Sequence, residues 1–158
     1  MKIENLPSEV VLLLREKGLT LATAESCTGG GIGYAITAVS GSSAVYLGGV
    51  VSYANEIKNR ILGVPEDILI SHGAVSELTA IAMAEGARSL IGSDIAVSVT
   101  GIAGPASDDT NKPVGLVYIA VSAAFGTDVK EYHFSGSRED VRTQTIDAAL
   151  ELVYLHIK

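Results

Sequence analysis

Segments with the apolar spacing of helices alternate with short segments of strand character along the chain, and this alternation restricts the fold more than any other feature. Leu6, Val10, Leu13 and Leu14 recur at helical spacing behind Pro7, which a first helical turn tolerates, until Gly18 stops the run. "LTLATAE" then reads as a strand that delivers its end to Ser26. "TGGGIGYAITAV" places Ile32, Ala35, Ile36 and Val39 on one face, but its four glycines mean that packing must hold this helix. "AVYLGGVVSYA", rich in β-branched residues, predicts a second strand ending near Tyr53, and "NEIKNRILG" turns helical after it.

A further helix starts at Val64-Pro65-Glu66-Asp67, and a longer one over "SELTAIAMAEGARSLIG" offers Ile81, Ala84, Ala87 and Ile91 as its inner face. "DIAVSVTG" is a buried-type strand running into the loop "IAGPASDDTNKP". "VGLVYIAVSAAF" and "DVKEYHFS" flank Gly126-Thr127 as an antiparallel hairpin, and Ser137 to Asp140 open the last helix as a capping-box variant. This order predicts an α/β protein: a three-layer α/β/α sandwich around a mixed, mostly buried sheet. The 158 residues suit a single domain spanning 1–158, without repeat or linker.

Charge narrows the function. The formal net charge of -7 offers no broad positive field for a nucleic-acid backbone, so nucleic acid is not an expected partner. No apolar run approaches the roughly 18–20 residues that span a bilayer, so no membrane partner is expected either. One cysteine cannot form an internal disulfide and the amphipathic, charged N-terminus is unlike a signal peptide, which together predict a cytoplasmic protein. One cysteine, three scattered histidines and no HExxH predict no metal and no cofactor.

On α/β sheets, ligands bind in the loops beyond strand ends, and three loops qualify: 26–31, 53–58 and 101–112. In "TAESCTGGG", Ser26 lies between a strand end and a helix start, where free N–H groups and the helix dipole can hold an oxyanion or a phosphate. Ser26 or Thr28 could equally be a plain helix cap. Gly29, Gly30 and Gly31 permit close approach of a ligand or simply tight chain packing. A helix N-terminus also lowers thiol pKa, so Cys27 competes as nucleophile, but a lone cysteine beside apolar strand residues reads better as a small buried side chain. Glu25 is open between base and cap partner.

A serine nucleophile needs a base. His72, His133 and His156 sit in no motif and read as structural or solvated. A desolvated lysine can take that role, and Lys58 follows a strand end by five residues, although a solvent-facing helix lysine has the same pattern. Tyr53 can orient a substrate or simply pack with a wet tip. Arg138 and Arg142, four apart, share a helix face and can clamp a phosphate or pair with Glu139 and other surface acids.

The blocks "ATAESCTGGG", "VVSYANEIKNRILGV", "HGAVSELTAIAMAEGAR", "VSVTGIAGP", "KPVGLVYIAV" and "SGSREDVR" resemble, in order, those of the CinA C-terminal domain family, over roughly residues 6–155. The likeness is to its stand-alone, PncC-like nicotinamide-nucleotide amidases. This resemblance implies hydrolysis of nicotinamide mononucleotide to nicotinic acid mononucleotide and ammonia. It implies Ser26 as nucleophile, Lys58 and Tyr53 as its helpers, and a homodimer. For this reaction the oxyanion is expected at Thr28, Gly29 and Gly30, and the phosphate at Gly101, Ala103 and Gly104 with Arg138 or Arg142. A non-catalytic nucleotide-binding regulatory module, related to competence or DNA damage, is the alternative. Two departures stand out: "ASDDTNKP" follows Pro105 where a Gly-Gly pair is usual, and "SGSRED" replaces a Pro-Gly-Asp-Arg start.

Overall fold

The computed structural model describes residues 3–158. Helix α1 (Leu6–Lys17) leads into β1 (Leu21–Glu25), followed by α2 (Gly31–Thr37), a 3-10 turn (Ser42–Ala44) and β2 (Tyr46–Val51). Three helices come next, α3 (Asn55–Arg60), α4 (Glu66–His72) and α5 (Glu77–Ile91). The chain closes with β3 (Ile95–Gly101), β4 (Leu116–Ala123), β5 (Gly126–His133) and α6 (Arg138–Ile157). The five strands form one sheet in the order β2-β1-β3-β4-β5. β1 runs parallel to β2 and β3, and β4 and β5 follow antiparallel. Among the described residues, no helix is long and apolar enough to cross a membrane.

Helices cover both faces, as the alternation of patterns predicts, and the two faces differ in side-chain size. One carries Leu21, Val97, Val99, Val117, Ile119 and Val121 against α1, α2 and α6, whose Leu14, Ile32, Ile36, Leu150 and Val153 are buried there. Each such side chain contributes about 1.5–3 kcal/mol by leaving water. The other face is built from small residues, Ala22, Ala24, Ala96, Ser98 and Ala120, under α5. Small residues let α5 lie close to the sheet, and the hydroxyl of Ser98 donates to the Ala80 carbonyl at 2.6 Å. For the same reason the inner face of α5 is Thr79, Ala80, Met83, Ala84 and Ala87; Ile81 and Ile91, expected there, are only partly buried. Gly86 lets the chain after α3 abut α5, since a Cβ there would lie 1.9 Å from the Leu62 carbonyl oxygen.

Other boundaries move by a residue or two. β2 stops at Val51, short of Tyr53, and as an edge strand it alternates between half-buried and exposed positions. The β4–β5 turn is Ala124-Phe125, while Gly126-Thr127 already pair with Ala123 and Ser122. The capping box at α6 forms as expected: the Ser137 hydroxyl accepts from the Asp140 N–H, and the Asp140 carboxylate accepts from the Ser137 N–H. That bonding holds the Asp140 carboxyl below its ordinary pKa.

Candidate active site

Parallel register brings three chain segments to one edge of the sheet. Glu25 of β1 lies level with Val51 of β2 and Val99 of β3. The next residues continue the ladder: Ser26 N–H donates to the Val99 carbonyl at 3.1 Å and Ser52 N–H to the Glu25 carbonyl at 2.9 Å. Ser26, Ser52-Tyr53 and Gly101 therefore emerge together at the carboxyl ends of the parallel strands, where α/β sheets bind ligands.

The turn that follows Ser26 is fixed from inside. Glu25, 2% exposed, accepts from the Thr28 hydroxyl (2.6 Å) and the Ile32 N–H (2.8 Å) on one carboxylate oxygen, and from the Gly33 N–H (3.0 Å) on the other. Glu25 is thus the cap partner of α2, and its charge sits where the helix dipole favours an anion. This explains how a seven-residue, glycine-rich helix stands. It also corrects an expectation, because the helix N-terminus is already occupied by a carboxylate of the chain. The Gly29 N–H closes a turn on the Ser26 carbonyl at 3.1 Å, and Thr28 is fully buried, so Thr28, Gly29 and Gly30 do not line the cavity described below.

Lys58 is the second buried charge. It sits on α3 and is 1% exposed. Its amine lies 2.7 Å from the Ser52 carbonyl, 3.1 Å from the Tyr53 carbonyl and 3.0 Å from Ser26 Oγ. Among the described residues no carboxylate lies in ion-pair reach of it. Burial, without such a partner, lowers its pKa to about 8. A neutral amine has two N–H bonds and one lone pair. In that form the two carbonyls, which can only accept, take the two N–H bonds and the lone pair faces the Ser26 hydroxyl; in the ammonium form the third N–H donates to Ser26 Oγ. The neutral arrangement is that of a general base on a serine nucleophile.

These groups open into a cavity of about 210 Å³. Buried Ser26, Cys27, Lys58, Val75, Thr100, Ile102 and Ala103 line it, together with Gly101 and Gly104. Gly104 has φ +85°, and a Cβ there would lie 2.4 Å from a Val114 methyl, so the backbone itself forms the wall. Exposed Arg138 crosses the rim, donating to the Gly104 carbonyl at 2.8 Å and to the Tyr53 hydroxyl at 3.1 Å. Tyr53, 62% exposed, serves Lys58 through its carbonyl; its ring belongs to the rim. The two arginines part company: Arg142 turns away from the cavity and donates to the carbonyls of Cys27 (3.1 Å) and Thr28 (3.2 Å), bracing the serine turn on α6.

Cys27 is 6% exposed, and burial pushes its thiol up to about 11, as a small packing residue should behave. His72 ends α4, His133 ends β5, and His156 pairs with Asp128 at 2.7 Å; none lines the cavity. Among the described residues, no three His, Cys, Asp or Glu side chains converge as a metal site. Sequence reasoning missed Asn55, which also lines the cavity, reached Asp108 only as part of the departing 101–112 loop, and left open that Glu25 is structural. The i, i+7 spacing of Glu25 and Ile32 across a Gly-rich turn was the available sign, since only a carboxylate folded back could reach those N–H groups.

The family is decided by the match of the CinA C-terminal domain model to residues 3–157. The chain belongs to the CinA C-terminal domain family. It is 56% identical over 142 residues to a CinA-like protein of Geobacter sulfurreducens, covering 90% of this chain and 34% of that protein. A CinA-like protein of Citrifermentans bemidjiense is 53% identical over 148 residues, with 94% and 36% covered. The chain thus spans about a third of the length of these curated relatives. Among solved structures, a CinA superfamily protein of Klebsiella pneumoniae superposes with a TM-score of 0.95 at 32% identity, covering 99% of this chain and 98% of that one. One from Enterobacter cloacae gives 0.96 at 31%, covering 100% and 95%.

Proposed function

We propose that this CinA-family chain is an amidohydrolase that converts nicotinamide mononucleotide to nicotinic acid mononucleotide and ammonia through Ser26, with Lys58 as general base and acid. The observation that carries this reading is the buried Lys58 amine, held by two carbonyls and 3.0 Å from Ser26 Oγ. A packing lysine has no need of such a position, and a binding module has no use for a buried amine of lowered pKa beside a serine.

In this mechanism the carboxamide carbon faces Ser26. Lys58 takes the hydroxyl proton as Oγ bonds to that carbon, giving a tetrahedral oxyanion. Ala103 and Gly104 line the cavity and their N–H groups donate in none of the loop backbone hydrogen bonds, and we assign them to the oxyanion. The Lys58 ammonium, still anchored by the Ser52 and Tyr53 carbonyls, passes its proton to the leaving nitrogen. The C–N bond breaks and ammonia departs, leaving an acyl ester on Ser26. Water then adds with Lys58 again as base, and the acid leaves as Oγ recovers its proton. Arg138, which among the described residues has no carboxylate in ion-pair reach, is the cation for the substrate's phosphate.

The test is ammonia release from nicotinamide mononucleotide by the wild type and by Ser26→Ala, Lys58→Ala and Cys27→Ala. The expected result is turnover by the wild type and Cys27→Ala alone. A folded wild type that binds the nucleotide and releases no ammonia overturns the proposal in favour of a regulatory binding module.

A further inference from the structure

Resting on the amidase reading, the cavity's charges carry one step more. We infer that Asp108 selects among substrates by the charge of their tail, disfavouring a pyridine amide whose ribose carries a phosphate relative to the riboside, which has the same cationic ring and an uncharged tail. The residues lining the cavity include three that carry charge: Lys58, which is buried, and Arg138 and Asp108, both exposed. Asp108 is the one acid among them. Among the described residues, neither Arg138 nor Asp108 has an oppositely charged side chain within 4.0 Å, so each presents its charge to whatever enters.

Asp108 is also held in place. One carboxylate oxygen accepts from the Thr110 N–H at 3.2 Å and from the Thr110 hydroxyl. Thr110 Oγ1 in turn accepts from the Lys112 N–H at 3.1 Å. The Lys112 amine donates to the His72 carbonyl at 2.6 Å and the Val75 carbonyl at 2.5 Å, and Val75 itself lines the cavity. The loop is therefore pinned to the cavity wall with its second carboxylate oxygen unspent. A phosphate drawn in by Arg138 meets this like charge in a space of about 210 Å³, whereas a neutral ribose tail meets only an acceptor for its hydroxyls. In a solvated cavity one such charge changes the relative affinity about three- to tenfold, and salt diminishes the effect.

Asp108→Asn keeps the bond to Thr110 and removes the charge. Expected is a rise of about three- to tenfold in kcat/KM for nicotinamide mononucleotide at low ionic strength, with nicotinamide riboside within about twofold and the gain shrinking in high salt. An unchanged ratio between the two substrates, or an equal change in both, overturns the inference. Calorimetric titration of wild type and Asp108→Asn, each in a Ser26→Ala background, with both compounds separates this from the catalytic reading. If neither compound releases ammonia, tighter mononucleotide binding by the Asn variant still supports the role of Asp108, and equal Kd values overturn it.

Discussion

Glu25 and Lys58 are both buried ionisable side chains, near the Ser26 turn, and they have opposite fates. Glu25 meets three donors and no acceptor: a hydroxyl and two backbone N–H groups satisfy its charged form. Lys58 meets two carbonyls and a hydroxyl, with no acid in ion-pair reach among the described residues. The carboxyl group is tied by three donors into the scaffold, while the amine is pushed toward its neutral form and given a proton to take. Burial alone does not mark a reactive group; the mismatch between a buried group's charged form and its partners does.

The largest test of this contrast is at Lys58. Lys58→Ala is expected to lower kcat/KM for ammonia release by about a thousandfold or more, because the base and acid of both half-reactions disappear. Lys58→Arg should not rescue it, since a guanidinium stays protonated and has no lone pair to offer. Rescue by arginine breaks the comparison, because a structural cation would then suffice.

The second test is pH. Burial lowers the Lys58 pKa from 10.5 to about 8, so the neutral base is scarce below that value and dominant above it. Expected is a kcat/KM that climbs about tenfold per pH unit below about 8 and levels off above it. The linked effect on stability has a definite sign. The unfolded chain holds this proton more tightly, so Lys58 disfavours folding fully below about 8, and stability recovers as pH rises toward 10.5. A kcat/KM that stays flat below pH 8 removes Lys58 from proton transfer.

Glu25→Gln sharpens the other side. An amide nitrogen placed against a donor leaves at least one of three buried hydrogen bonds unmade, and about 2–4 kcal/mol of stability should be lost in urea denaturation. The molecules that remain folded should keep kcat within about tenfold, far above the Lys58 variant. If kcat collapses while stability holds, Glu25 is part of the chemistry and the contrast fails.

These two residues also show how far the sequence could be read. The elements followed from apolar periodicity and turn residues, because those patterns are local consequences of 3.6- and 2-residue repeats. Ser26 and Lys58 were legible as a pair through the resemblance of their blocks, and their meeting at 3.0 Å needed only the parallel register of β1 and β2. What stayed illegible depended on size and direction. The inner face of α5 shifted because the sheet beneath it is built of alanines and serine, a property of strands far away in sequence. The one-turn spacing of Arg138 and Arg142 on α6 concealed that one reaches the rim and the other the turn behind it.

That split yields the next prediction. Arg138→Ala should raise KM for nicotinamide mononucleotide about tenfold with stability within about 0.5 kcal/mol, as its guanidinium is exposed and joins only the rim. Arg142→Ala should do the reverse: about 1–2 kcal/mol less stable in thermal or urea denaturation, with KM within about twofold, because it holds the Cys27 and Thr28 carbonyls. An equal rise of KM in both variants unites them as one phosphate clamp.

Cys27 makes the smallest and most pointed case, because it borders the nucleophile and lines the same cavity. A thiolate nucleophile needs a lowered pKa, yet burial raises this thiol to about 11, so at neutral pH only a negligible fraction is ionised. The Arg142 guanidinium and the Lys58 amine pull the other way, and burial outweighs both. Cys27→Ala should therefore keep kcat/KM within about twofold and lower stability by about 1 kcal/mol, the worth of one small buried side chain. A thiol-directed reagent such as iodoacetamide should label the native protein slowly at neutral pH and faster in urea, where the thiol regains solvent. Rapid native labelling that abolishes ammonia release, together with loss of activity in Cys27→Ala, would transfer the nucleophile's role one residue along the turn. The Lys58 amine, hydrogen-bonded to Ser26 Oγ at 3.0 Å, argues for the serine.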